Sequence, residues 1–367
     1  MRSAIVLAVM LFPVLALGDT PAAPPTLCVD DDCRNHASAP RSGSKKWHPG
    51  HYIKTQGSFH STDQSAYVDG VMRTLPRVME LPQLRGAYVD FAWGAINPSG
   101  TTYDWENLDQ VVDWLCSRNK MLLLSIGYKH FAGDEDAQLI MPADLIANGQ
   151  AVSTNSGKIA AVWRAPVMNR YISTMKAIAA RYDASPCLEL ITTSESAPSF
   201  GDSDPPSDYS VAALAEQLER LYVAQSEAFK QTNVAAQVNF LGNRAAGLIE
   251  SAYRTGAGRA GPDAFDDTGT RIFRGQQVAG AGTTARDYRG LVLQHAVASQ
   301  PVLGGKDDNG PPANIVNWAQ ANGVTHLSWV STVSTSPNTW SEIREAIRAD
   351  GTLHTNCPAA YTSCSTQ

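Results

Sequence analysis

The sequence predicts an α/β protein built as one closed (β/α)8 TIM barrel, and three observations predict it. Short apolar segments alternate with amphipathic helical segments over most of the 367 residues, and strand followed by helix, repeated, implies a parallel sheet. The segment MLLLSIGY at 121–128 is apolar almost throughout, as a parallel strand covered on both faces requires. Seven strands are readable directly and a Gly-rich stretch has room for one more, which favours the closed barrel over an open doubly wound sheet.

In chain order, the first strand is read at 50–54 and the first helix at 65–79. A second strand at 84–93 ends in a turn through Asn97, Pro98 and Gly100. The helix at 105–118 shows its period in Leu108, Val111, Val112 and Leu115. After the strand at 121–128 come a helix at 168–182, a strand at 187–193, a helix at 211–231 and a strand at 236–241. The Gly-rich region leaves the missing strand near 260–265. A strand at 290–295, a helix at 312–322, a strand at 324–330 and a helix at 339–348 complete the set.

The ends read differently. Arg2, the apolar run at 4–17 and the small residues Ala16 and Gly18 form the pattern of a signal peptide over 1–18, so a secreted or periplasmic chain is expected. Residues 19–44 are rich in Pro, Ala, Asp and Ser without an apolar period, and read as an exposed tail. The barrel is assigned to 45–350 and a disulfide-closed tail to 351–367. Six cysteines in an exported chain are expected to pair. Cys28 with Cys33 and Cys357 with Cys364 close small loops, which leaves Cys116 for Cys187. Their spacings are unlike zinc sites and no HExxH occurs, so no metal is expected.

Acidic residues outnumber basic ones by 35 to 29, which leaves no electrostatic footprint for nucleic acid. GAGRAGPD and GQQVAGAGTT lack the Lys and Ser/Thr of a phosphate loop, and no G-x-S-x-G elbow is present. No cofactor is expected. No later stretch reaches the length of a membrane helix, so the expected partner of a monomeric chain is a carbohydrate rather than a membrane.

Barrels of this kind carry function at the C-terminal ends of their strands. Those ends offer Asp90, Trp93, Tyr128, Lys129, His130, Ser194, Glu195, Asn239, Asn243, Asp263, Gln294, His295 and Trp329. Sugars need such a set, because ring faces stack on aromatics while hydroxyls bond to polar side chains. Trp93, Trp163 and Trp329 are candidate stacking platforms, with Trp329 favoured for binding over packing. His48, His51 and His130 could line the mouth.

The segment YVDFAWGAINPSGTTYDWENLDQVVDWL, from Tyr88 to Leu115, resembles the second strand and following loop of clan A glycoside hydrolases. LELITTSESA, Leu188 to Ala197, is similar to their fourth strand, and THLSWV, Thr325 to Val330, to their eighth. The resemblance implies Glu195 as acid/base and Trp329 as a substrate-stacking ring. It also marks two departures. Ser194 stands where the family has Asn, and GLVLQHAVASQP, read as the seventh strand, has Gln294 and His295 but no carboxylate nucleophile.

Period-two alternation puts Glu189, Ile191, Thr193 and Glu195 on the inward face, with Glu195 at the open end and Glu189 structural below it. Enclosed among aromatics, a carboxyl there would hold the proton a general acid needs. Asp90 shares the inward face of its strand with Gly86 and Tyr88, and it or Asp263 could supply a second carboxylate. A buried Asp90 paired with an Arg or with Lys129 is an equal reading. Three functions follow: a glycoside hydrolase, an inverting one with Asp90 or Asp263 as base, or a non-catalytic glycan-binding barrel.

Overall fold

The computed structural model describes residues 41–55, 64–130, 139–155, 157–200, 204–261, 271–272, 276–279, 297–299, 311–330, 339–350, 353, 355–358 and 361–366. Eight strands form one sheet: β1 Gly50–Lys54, β2 Leu84–Ala92, β3 Met121–Gly127, β4 Leu188–Thr193, β5 Asn233–Gln237, β6 Gly258–Ala260, β7 Val297–Ser299 and β8 His326–Val330. Their spatial order is β6-β5-β4-β3-β2-β1-β8-β7, with every pairing parallel. That is the cyclic order of a (β/α)8 barrel, cut among the described residues between β6 and β7. The expected fold is therefore observed.

The described helices of ten or more residues are α1 Gln64–Thr74, α2 Glu106–Cys116, α3 Ala165–Tyr182, α4 Val211–Ala228, α5 Ala245–Thr255, α6 Pro312–Ala321 and α7 Trp340–Asp350. Helix α2 buries Leu108, Val111, Val112 and Leu115, the stripe its sequence announced. Helix α4 starts where the Ser210 side chain accepts the Ala213 N–H, an N-cap that satisfies an otherwise orphan donor. Among the described residues, no helix is long and apolar enough to cross a membrane.

Two apolar layers result. Tyr52, Tyr88, Met121, Leu123, Leu190, Ala235 and Ala260 cluster inside the barrel. A larger cluster, including Ile53, Val89, Phe91, Leu122, Leu124, Ile191, Leu218 and Trp329, fills the space between strands and helices. Where a strand is regular, its alternate residues feed alternate layers.

Three elements differ from expectation. Strand β5 begins at Asn233 rather than 236. The described part of β7, Val297–Ser299, is in register with Leu327–Trp329, and the strand expected at 290–295 lies outside the described residues. Helix α5 occupies part of the region read as irregular. Its buried Leu248, Ile249 and Ala252 give it a helical face, and Gly256 ends it at φ 78 in the left-handed conformation that glycine adopts without strain. Finally, Arg41–Lys46, partly inside the expected tail, is a strand paired in parallel with Tyr361–Ser365.

Cys116–Cys187 joins the end of α2 to the start of β4, and Cys357–Cys364 closes the C-terminal segment. Cys28 and Cys33 lie outside the described residues.

Candidate active site

The carboxylate at the end of β4 is placed by an irregularity that alternation does not foresee. Leu122 pairs with Leu188 but Leu123 pairs with Leu190, so Glu189 is an extra residue, a β-bulge. Glu189 and Leu190 both serve the interior, whereas Ile191 packs outward in the helix-facing layer. The expected inward set of Glu189, Ile191, Thr193 and Glu195 is thus broken. The chain leaves the strand after Thr193, and Glu195 reaches the rim from the loop.

There its carboxylate is clamped. Lys129 Nζ donates to Glu195 Oε1 at 2.8 Å, and Asn239 Nδ2 donates to Oε2 at 2.8 Å. Asn239 is oriented by Ser196, whose backbone N–H and hydroxyl both donate to its Oδ1 at 2.9 Å. With Oδ1 occupied by donors, the amide must turn Nδ2 toward Glu195. Lys129 also donates to Ala197 O at 2.7 Å and to Ser199 Oγ at 2.8 Å. Burial lowers the pKa of Lys129, and the neighbouring Glu195 pulls it back up. Glu195 itself is 20% exposed, so the clamp leaves part of the carboxylate open.

Lys129 is held by an antiparallel extension of β3. Lys129–His130 pairs with Gly157–Ala160, which pairs with Ala151–Thr154. Gly157 permits the approach, since a Cβ there would lie 2.2 Å from His130 O. The enclosure around Glu195 is therefore polar and charge-paired, not the aromatic one expected. Lys129 pairs with Glu195 and not with Asp90.

No family model matches the chain, and no curated protein matches its sequence. Solved structures do match. Endo-glycoceramidase II from Rhodococcus sp., in a cellobiose-like isofagomine complex, is 13% identical, with 82% of this chain and 79% of that chain covered at a TM-score of 0.50. GH5_18 from Streptomyces cattleya, in complex with GlcNAc, is 14% identical, with 83% and 80% covered, also at 0.50. The fold of this chain is the one these solved structures have.

In this barrel the remaining candidates fall in three places. Asp90 lies on β2 inside the barrel, with Lys54 Nζ 3.5 Å from its Oδ2, and burial, helped by the Asp90 charge, holds the pKa of the Tyr88 hydroxyl up. It stands level with Ser125 and Thr192, so it lies deeper in the barrel than Glu195, which follows the end of β4. Ser194 accepts the Tyr128 N–H at 3.2 Å, which ties the ends of β3 and β4 together.

Several expected substrate contacts are core residues instead. Trp329 pairs in register with Ile53, is 0% exposed and donates its indole N–H to His51 Nδ1 at 3.0 Å. A ring in that layer has no face open to a sugar. Trp93 is equally enclosed, donating to Thr174 Oγ1 at 2.9 Å beside Tyr171. Trp163 packs edge-on against Phe200 and Tyr209. Tyr128 is buried against Tyr171, and burial raises its pKa. His130 is buried in the hairpin. Asp263, Gln294 and His295 lie outside the described residues.

The opposite end of the barrel holds a second charged group. Glu189 is fully buried; His48 N–H and Nδ1 reach its two oxygens at 2.8 Å, and His326 Nε2 is 3.0 Å from Oε1. Burial pushes the Glu189 carboxyl up, but the His326 and His48 hydrogen bonds outweigh it and bring the pKa down to about 2. Asn233 adds a bond to Oε1. This end faces away from the strand C-termini, where barrels keep their chemistry, so the cluster ties β4, β5 and β8 to the segment before β1. Sequence reading missed Ser196, Ala197 and Ser199 as the supports of Glu195. Only the run of small polar residues after Thr193 hinted at them.

Proposed function

We propose that this chain is a secreted glycoside hydrolase acting on an extracellular oligo- or polysaccharide, with Glu195 as its general acid/base. The observation that carries this is the clamp: a part-exposed carboxylate at the C-terminal rim, fixed by Lys129 and Asn239. Glycoside hydrolysis needs an acid that protonates the departing oxygen and a second carboxylate that acts on the anomeric carbon or on water. When Glu195 has given up its proton, Lys129 and Asn239 stabilise the anion left behind.

In the inverting form of the reaction, the C–O bond breaks and its oxygen takes the Glu195 proton. A water oxygen bonds to the anomeric carbon, and the proton that water loses goes to Asp90. Asp90, Lys54 and Tyr88 give the interior a polar upper layer suited to that water. The paired cysteines agree with passage through an oxidising compartment.

The test is Glu195→Gln in the mature chain, assayed by reducing ends released from a polysaccharide panel. A loss of kcat of roughly 10²- to 10⁴-fold at unchanged folding is expected. Full activity in the variant would end the reading. A second reading, a non-catalytic glycan-binding barrel, draws on the absence of a carboxylate from GLVLQHAVASQP. It predicts oligosaccharide affinity without turnover.

A further inference from the structure

Beside the clamp the chain does something costly. Phe240 follows Asn239 directly, has φ 53 and is 75% exposed. A left-handed backbone puts Cβ against the following carbonyl and costs a bulky residue roughly 1 kcal/mol or more, where glycine is free of that cost. An isolated exposed apolar side chain is ordinary on a protein surface. One held in a strained backbone, with most of its ring in water, recovers little of that cost through packing.

The other large exposed apolar side chain among the described residues is Met79, 53% exposed, which precedes β2 and so lies toward the opposite end of the barrel. Phe240, in contrast, stands beyond the C-terminal end of β5. Its neighbours fix it there: Val238, Asn239 and Leu241 are buried, and a 3-10 turn, Gly242–Arg244, follows. The ring is mounted on a rigid stem rather than on a loose loop. Ser199, the acceptor of a Lys129 hydrogen bond, is also left-handed, with φ 57. Two of the three described non-glycine residues with positive φ therefore flank the Glu195 clamp, and backbone strain of this kind gathers at working sites.

We propose that Phe240 is a platform for the leaving-group side of the substrate, stacking on a flat, partly apolar unit such as a pyranose ring or an aromatic aglycone. This rests on Glu195 acting as the acid. An acid must sit beside the oxygen it protonates, so the unit that departs with that oxygen lies on the acid's side of the cleavage point. Asn239 touches the Glu195 carboxylate, and the next Cα is only about 3.8 Å along the chain. The aliphatic face of a sugar and the face of an aromatic ring are both partners a phenyl ring accepts.

The experiment compares wild type, Phe240→Ala and Phe240→Gly on cello-, xylo-, manno- and chito-pentaose, and on the 4-nitrophenyl glycosides and glycosyl fluorides of the same sugars. Fluoride leaves without a ring to stack. The expected result is a loss of kcat/KM on pentaoses or nitrophenyl glycosides that exceeds the loss on fluorides by roughly 5- to 10-fold. Phe240→Gly is expected to be at least as stable as wild type, because it relieves the strain.

A loss confined to pentaoses marks a sugar platform, and one confined to nitrophenyl glycosides marks an aromatic aglycone. Equal losses on all three substrate types, or none, overturn the proposal. Glu195→Gln is run beside them: it should slow pentaoses far more than fluorides, and if it spares both, the acid assignment fails separately. If no substrate turns over, calorimetric affinity for the pentaoses decides, and an affinity unchanged by Phe240→Ala overturns the platform.

Discussion

Removing the Lys129 ammonium tests the clamp most directly. Lys129→Met keeps the bulk of the side chain and deletes three donated bonds, to Glu195 Oε1, Ala197 O and Ser199 Oγ, at 2.7 to 2.8 Å. Hydrogen bonds from a charged donor contribute about 1.5 to 3 kcal/mol each, so the gross loss is several kcal/mol. Against it stands the cost of burying the ammonium, visible in its lowered pKa, which the variant recovers. A net destabilisation of about 2 to 4 kcal/mol is expected. In a double-mutant cycle with Glu195→Gln, the pair should show a coupling of about 1 to 2 kcal/mol, the low half of the usual range because Glu195 is 20% exposed. Urea unfolding of the four proteins supplies the numbers. A coupling under about 0.5 kcal/mol would mean that the two groups do not act as a pair, and Lys129 would then be only a loop support.

Other tests address the barrel's far end and its buried tryptophan. Glu189 has a folded pKa of about 2 against 4.5 unfolded, with His48, His326, Asn233, Tyr52 and Lys46 around it. Its contribution of about 3 kcal/mol should be complete above pH 4.5 and vanish as pH falls through 2, and the acid-unfolding curve of Glu189→Gln should lack that step. Lys46 is the opposite case: burial lowers its pKa to about 8 despite Asp183 and Glu189, while its Nζ donates to the carbonyls of Asp183 and Ser185. Between pH 8 and 10.5 the unfolded chain binds the extra proton, so wild type should gain up to about 3 kcal/mol there relative to Lys46→Met; a flat difference refutes the burial cost. Trp329→Phe should lower stability by about 1 to 2 kcal/mol through the lost bond to His51 and leave oligosaccharide affinity unchanged. A large loss of affinity would return Trp329 to the binding surface.

Much of the architecture was legible because it is periodic. The strand and helix sequence of the barrel, the α2 stripe and the Cys116–Cys187 bond all follow from local pattern and cysteine number. Strand β1 and the start of β2 fall at the expected residues. Helix α5 was hidden by the glycines around it.

The amino-acid order was enough to place Glu195 after the fourth strand of a parallel barrel, since that requires only counting elements. It could not give the side chain's surroundings. The bulge at Glu189 inserts one residue into a two-residue repeat, and nothing local marks it; it becomes visible only when Leu190 is seen paired with Leu123. Trp329 looked like a platform because it ends a strand, but its register with Ile53 turns it to the helix side. Lys129 and Asn239 are 66 and 44 residues from Glu195, and the strand Arg41–Lys46 pairs with the far end of the chain. Local sequence sets backbone preference over a few residues, whereas charge pairing and strand register are settled by which segments the closed barrel brings side by side.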